Sequence, residues 1–301
     1  MLKYLFSITA AALALAAPAR ADLSVFACEP EWGALSKEIG GDKVSIYVAT
    51  TGAQDPHQVQ ARPSLIAKAR SADVAVCTGA ELEIGWMPMI AQQAANSKIL
   101  AGADGLFEAA SFVALAEIPT RLDRAEGDIH ASGNPHIQTD PRNMLTVAKP
   151  LADRFAQLDG ANAAYYQGRY ADFATRWKAA LAKWTSDAAP LRGIPIAVQH
   201  TSWIYLENWL NLKQVVALEP KPGVPPSSGY LAEVLAKLQA QPVKVIIRAA
   251  YEDERPSAFV SERSKVPAVM LPFTVGGTDG AKDLFSLYDD TIKRMKDAVK
   301  P

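Results

Sequence analysis

NMLTVAKPLADRFAQLDGANAAYYQGRYADFATRWKAALAKWTSDAAP, residues 143–190, is helical in pattern almost from end to end. Leu151, Phe155 and Leu158 mark an apolar stripe. Tyr166, Tyr170, Phe173, Trp177 and Leu181 continue a stripe beyond Gly160. Pro150 and Gly160 are each able to bend such a helix. A helical hairpin fits the same pattern. The reading adopted is one long helix, or two abutting ones, joining whatever lies on either side.

What lies on either side is the same alternation, met twice. Before it, LSVFA, KVSIYVA, ADVAVC and KILAG read as strands. Between them, EWGALSKEIG, RPSLIAKARSA and WMPMIAQQAA read as helices, with Pro63 tolerated in a first turn. After it, IPIAVQ, QVVALE, VKVIIRAA and VPAVMLP read as strands. SWIYLENWLN, YLAEVLAKLQAQ, PSAFVSERSK and DLFSLYDDTIKRMKDAV read as helices, and KPGVPPSSG as a rigid connector. Strand–helix alternation at this spacing means a mainly parallel sheet flanked by helices. The expectation is an α/β protein of two lobes joined by a long backbone helix. The lobes are expected over residues 22–140 and 190–301, with the connecting segment over 141–189.

The chain has 301 residues and a formal charge of -1. Its opening, MLKYLFSITAAALALAAPARA, has an early lysine, an apolar run and small residues at Ala19 and Ala21. That is the grammar of a secretory signal peptide over residues 1–21. The apolar run is short for a membrane span. Export is expected, to the periplasm in a Gram-negative host. Losing Lys3 and Arg20 takes the charge to -3. No basic face with interleaved aromatics speaks for nucleic acid. No GxSxG supports serine hydrolysis, and no GxxxxGK[ST] supports phosphate binding.

Cys28 and Cys77 are the two cysteines, and each ends a short apolar run. If the two runs are parallel strands of one sheet, the cysteines share an edge and a disulfide is open to them in an exported protein. Two half-buried free thiols are the other reading. CxxC spacing is absent, which argues against redox catalysis.

The chain has only four histidines. His57 follows the strand KVSIYVA by a short loop. His136 sits in GNPHIQTD, where Gly, Asn and Pro set the backbone. His200 closes the strand IPIAVQ. Ligands of open α/β sheets bind outside the carboxyl ends of strands. Two facing lobes would bring His57 and His136 from one side and His200 from the other. Three neutral imidazoles and one oxygen suit a tetrahedral zinc site. Isolated surface or capping histidines would explain the same residues, since the spacing is long.

TGAQDPHQVQARPS, GDIHASGNPHIQTDPRN and VQHTSWIYL resemble the three histidine motifs of the periplasmic zinc- and manganese-binding components of ABC transporters, in their zinc-type branch. The resemblance runs from the mature N-terminus to the last helix. It implies two lobes, a metal held in the cleft between them, delivery to a membrane permease, and no catalysis. It implies His57, His136 and His200 as ligands. His130 matches a position beside the cleft that is not a usual ligand. The family commonly adds an Asp or Glu from the C-terminal lobe. The matching stretch here, LPFTVGGTDGAKDLFSL, is shortened, and Asp279 is the expected fourth ligand. Glu207, an acid of YEDER, or water are the alternatives, and aspartate in TDG serves a turn equally well. Asp283 is placed to cap the last helix.

Around the ligands, Asp55 and Asp140, each before a proline, read first as turn formers, and either is also placed to accept an imidazole N–H. Glu81 and Glu83 follow the strand ADVAVC and are placed to line the cleft. Trp32, Trp86, Trp203 and Trp209 read first as packing. The long histidine- and acid-rich loop of some zinc members is replaced by DRAEGD. Three imidazoles favour zinc over the harder manganese, which remains the alternative with other divalent metals. A monomer is expected. A metallohydrolase lacks an HExxH element, and an exported adhesin or an organic-solute binder stays a second reading.

Overall fold

The computed structural model describes residues 22–123, 125 and 127–300. The leader expectation at residues 1–21 lies outside them. In chain order the elements are β1 (Leu23–Ala27), α1 (Pro30–Gly40), β2 (Val44–Val48), α2 (Pro63–Arg70), β3 (Val74–Cys77), α3 (Met87–Ala94) and β4 (Leu106–Glu108). Then come α4 (Pro141–Leu158) and α5 (Ala163–Asp187). The second half has β5 (Pro195–Val198), α6 (Ile204–Leu210), β6 (Lys213–Ala217), α7 (Ser228–Ala240), β7 (Val245–Ala249), α8 (Glu254–Ser264), β8 (Ala268–Leu271) and α9 (Leu284–Val299).

The strands form two four-stranded sheets, ordered β2-β1-β3-β4 and β6-β5-β7-β8, and every pairing is parallel. Parallel strands with helices on both faces are apolar on both faces. Val74 to Cys77 of β3 and Val245 to Ile247 of β7 are accordingly buried throughout. The identical orders give each sheet one place where successive crossovers part in opposite directions, between β1 and β3 and between β5 and β7. The carboxyl ends of those strands open the crevices that α/β sheets use for ligands.

KILAG is not a strand. Asn96 accepts from Lys98 N at 3.1 Å and donates to Ala69 O and Ala72 O, which caps a 3-10 turn over Ser97–Ile99. The pairing strand is Leu106–Glu108, beyond Gly105, whose α-carbon has the backbone oxygens of Lys98 and Asp73 packed against it.

The long helical stretch breaks at Gly160 and folds back. Lys149 lies over the Tyr170 ring, Phe155 meets Tyr166 at 5.6 Å, and Trp177 Nε1 donates to Pro141 O at 2.8 Å. Those pairs run antiparallel, so α4 and α5 form a hairpin rather than one continuous or end-to-end rod. The connecting role falls to α5 alone, about 37 Å long at 1.5 Å per residue. Its first half binds α1, with Arg169 Nε donating to Glu38 O at 2.9 Å. Its last turns bind α9, with Trp184 Nε1 donating to Asp289 Oδ1 at 2.9 Å.

Candidate metal centre

Gly133 has φ +116, a conformation that glycine tolerates, and its α-carbon sits against Ala116 O. Asn134 Oδ1 accepts the His136 N–H at 3.1 Å, and Asn134 Nδ2 donates to Thr201 O at 2.9 Å. Tyr205 OH donates to Asn134 O at 2.5 Å. The turn therefore holds His136 and ties it to the segment that carries His200.

His57, His136 and His200 each offer a ring nitrogen, and these atoms lie within 4.8 Å of one another. His57 comes from the loop after β2, His136 from the segment before α4, and His200 from the end of β5. His57 Nδ1 is 2.8 Å from Asp55 Oδ1, and the Asp55 carboxylate also accepts the His57 N–H at 2.9 Å. His200 Nδ1 is 2.7 Å from Glu219 Oε2, which Gly223 N also approaches at 2.8 Å. Carboxylates on Nδ1 place the proton there and leave Nε2 as the free donor. His57 Nε2 is buried with no hydrogen-bond partner, and so is His136 Nδ1. Buried polar atoms are seldom left this way. A divalent cation accepting a lone pair from such nitrogens would satisfy them.

Electrostatics divides the imidazoles. Burial, then the neighbouring His57, His200 and His130, push His136 well below its usual value. Burial also takes His130 down, to about 4. Burial pulls on His200 in the same direction, but the hydrogen bond and charge of Glu219 outweigh it and the net value is raised. Burial works to raise Asp55, and its bond to His57 overcomes this, leaving it lowered.

The remaining expected residues fall differently. His130 sits beside the cluster, its ring 5.3 Å from that of His57, and helps line a cavity of about 710 Å³ with Glu81, Asp123 and Asp128. Glu81 accepts from Ala131 N and so fixes the backbone beside His130. Asp140 meets no imidazole. It caps α4 at Arg142 N, 2.8 Å, and its carboxylate is held by the Arg142 guanidinium. Asp279 does not join the three histidines. It is exposed in the turn after β8. Asp283 caps α9 in a reciprocal bond with Ser286.

Of the alternative acids, Glu207 lies on α6, and burial and then Glu117 raise it to about 7. Asp253 caps α8. Glu252 differs. It follows β7, Oε2 accepts Ala249 N at 2.7 Å, and Oε1 is buried without a partner. Burial raises it to about 7 against the pull of His200. Glu219 was not foreseen, although it stands two residues past β6, at the same strand edge that singles out His200. Cys28 and Cys77 are joined, with Cα atoms 4.8 Å apart. The tryptophans pack as expected: Trp32 Nε1 donates to Thr78 Oγ1 at 2.7 Å, Trp86 Nε1 to Pro56 O at 2.9 Å, Trp203 meets Phe273 and Trp209 meets Tyr288.

A family model described as ZnuA, zinc-uptake complex component A, periplasmic, matches residues 25–298. The metal ABC transporter substrate-binding lipoprotein SloC of Streptococcus mutans serotype c is 21% identical over 242 residues, 80% of this chain and 77% of that protein. The manganese ABC transporter substrate-binding lipoprotein PsaA of Streptococcus pneumoniae is 23% identical over 249 residues, 80% of this chain and 76% of that protein. A crystal structure of ZnuA superposes with a TM-score of 0.78 at 20% identity, covering 93% of this chain and all of that one.

Proposed function

The chain belongs to the family of periplasmic zinc-uptake component A, and from that premise we propose that it captures a divalent metal, zinc first, between its lobes and delivers it to the permease of an ABC transporter. The observation that carries this reading is the meeting of His57, His136 and His200, two of them with buried nitrogens that have no partner. Three imidazoles suit zinc, whereas manganese favours more carboxylate oxygen. Manganese is the second reading, favoured by the name of the PsaA relative and by the oxygen that Glu252 offers.

In this proposal an acid of the C-terminal lobe supplies the oxygen, and Glu252, whose charge acts on His200, is better placed for it than the exposed Asp279. Asp55 and Glu219 orient His57 and His200, and His130 lines the approach. The protein acts as a monomer in the periplasm and performs no catalysis. Cys28, the first cysteine of the chain, is engaged with Cys77.

Metal content of the purified mature protein, measured by mass spectrometry beside His57→Ala, His136→Ala and His200→Ala, tests this. We expect one zinc per chain, lost or sharply weakened in each variant, and zinc displacing manganese in competition. A chain that takes up neither ion after chelation and reloading overturns the reading. Manganese retained against equimolar zinc moves it to the second one.

A further inference from the structure

We infer that the N-terminal lobe carries a second cation site that is closed by a disulfide: on reduction, Cys28 Sγ and Cys77 Sγ, with the carboxylates of Glu83 and Glu29, form a sulfur–oxygen set for a zinc-class divalent ion. The sulfurs and a Glu83 carboxylate oxygen already lie within 4.8 Å of one another, and all three residues are buried. Glu29 is 3% exposed, and its Oε1 has no hydrogen-bond partner. Both carboxylates converge on one residue. Thr78 N donates to Glu83 Oε1 at 2.7 Å, and Thr78 Oγ1 donates to Glu29 Oε2 at 3.3 Å. Among the described residues no lysine or arginine pairs with either acid. Two neighbouring buried carboxylates without a cation are costly unless a proton or a metal is shared between them.

The position supports the assignment. Cys28 and Glu29 follow β1, and Cys77 and Thr78 end β3, so the cluster fills the crevice where the first sheet changes direction. The equivalent crevice of the second sheet, between β5 and β7, holds His200 and Glu252. A groove of about 570 Å³, lined by Cys77, Gly79, Glu83, Met87 and Leu100 among others, leads to the cluster from the surface.

A dithiol serves as the reductant. A thiolate of the dithiol attacks one cysteine sulfur, the Cys28–Cys77 bond breaks, and the mixed disulfide resolves as the second dithiol sulfur attacks its own partner. The dithiol ends as its own disulfide, having given two electrons and two protons to the cysteines. A divalent cation then displaces the two thiol protons and is bound by two thiolates, with the carboxylates completing four-coordination. Closed, the disulfide sulfurs are poor donors and the site takes no metal.

The test is cobalt titration of the folded mature chain before and after reduction with dithiothreitol, the reductant removed anaerobically by gel filtration. Thiols are counted in the same sample. The oxidised chain is expected to bind cobalt in the histidine cleft alone, with no thiolate-to-cobalt charge-transfer band. The reduced chain is expected to bind one further equivalent with that band. Cys28→Ser with Cys77→Ser removes it, and Glu29→Gln weakens it without altering uptake by the oxidised chain. Two titratable thiols with no further equivalent and no band overturn the proposal. A disulfide that dithiothreitol cannot reach in the folded chain overturns it as well. The band reports sulfur ligation alone, so the result stands apart from whether the cleft proves to hold metal.

Discussion

Asp55 and Glu219 show how much of the cleft is built by residues that need not touch a metal. Each holds the Nδ1 of a histidine, at 2.8 Å and 2.7 Å, and so fixes ring orientation and tautomer. Asp55→Asn and Glu219→Gln are expected to weaken metal binding about 10- to 100-fold while leaving one site per chain; calorimetric titration checks both, and unchanged affinity would show that the cluster orients itself. Protons compete for the same nitrogens, and the sign differs between residues. His200 is raised above its ordinary 6.5, so acidification loads it before His136 and His130. Affinity is expected to fall as pH drops from 7.5 to 5, and a flat profile across that range contradicts a histidine site. For the metal-free fold, a raised His200 stabilises below 6.5, and that contribution is lost as pH rises through its folded value. His136 and His130 are lowered, so their contribution is present above 6.5 and is lost as pH falls through their folded values, for His130 about 4. The histidines were legible in the sequence because each stood in a turn or at a strand end, outside any apolar period. Asp279 was expected as the fourth ligand from a turn, but a Gly-Gly-Thr turn does not disclose which way the next residue faces, and Asp279 is exposed. Glu219 was within reach of the strand-end argument that found His200, since it follows β6 by two residues, whereas Glu252, three residues past β7, was already among the acids of YEDER.

At the scale of elements, periodicity located the strands and helices well but not the way the helices lie on one another. An apolar stripe on each side of Gly160 is compatible with a straight rod and with a hairpin. The choice rests on contacts such as Trp177 Nε1 to Pro141 O, between residues 36 apart, which no local pattern contains. Trp177 is wholly buried and also meets Phe173, Trp184, Phe285 and Tyr288. Trp177→Ala is expected to lower the free energy of unfolding by about 3–5 kcal/mol, read by urea denaturation, and a loss below about 1 kcal/mol would mean that this junction relaxes around the gap. The acids beneath β1 and β3 behave in the opposite sense. Burial raises Glu29 well above its ordinary 4.5, with Glu83 and Glu31 adding to it, and burial takes Glu83 to about 6. A carboxyl raised in this way stabilises the fold below 4.5, and that contribution disappears as pH rises through its folded value. Glu29→Gln is therefore expected to raise the melting temperature of the oxidised chain at pH 8 and to leave it unchanged at pH 4. A variant that melts lower at pH 8 would show that the carboxylate is held charged.

For the whole molecule, the two sheets share one strand order, their histidines meet in one cluster, and the motion available to the lobes is set by what ties them together. The helix α5 is bonded to α1 at Glu38 near one end and to α9 at Asp289 near the other. Two more ties cross near the cleft. Thr274 Oγ1, beyond β8, donates to Glu31 Oε2 on α1, and Tyr288 OH on α9 donates to Gln138 O at 2.6 Å. Gly52 of the first lobe sits against the backbone of Gly277, so close that a side chain at Gly52 would collide with it. A hinge opening by many degrees would break all of these contacts and expose Trp177 and Trp184, an expense that differential binding by three imidazoles need not meet. Metal loading is thus expected to order the loops that carry His57 and His130 and to leave the lobes where they are. Small-angle scattering of the metal-free and zinc-loaded chain should give the same radius of gyration within error. Hydrogen exchange should slow around residues 51–60 and 127–136 and remain unchanged along α5. A clear contraction on loading would mean that α5 bends or slides, and that the contacts at Glu38 and Asp289 are made only in the closed form.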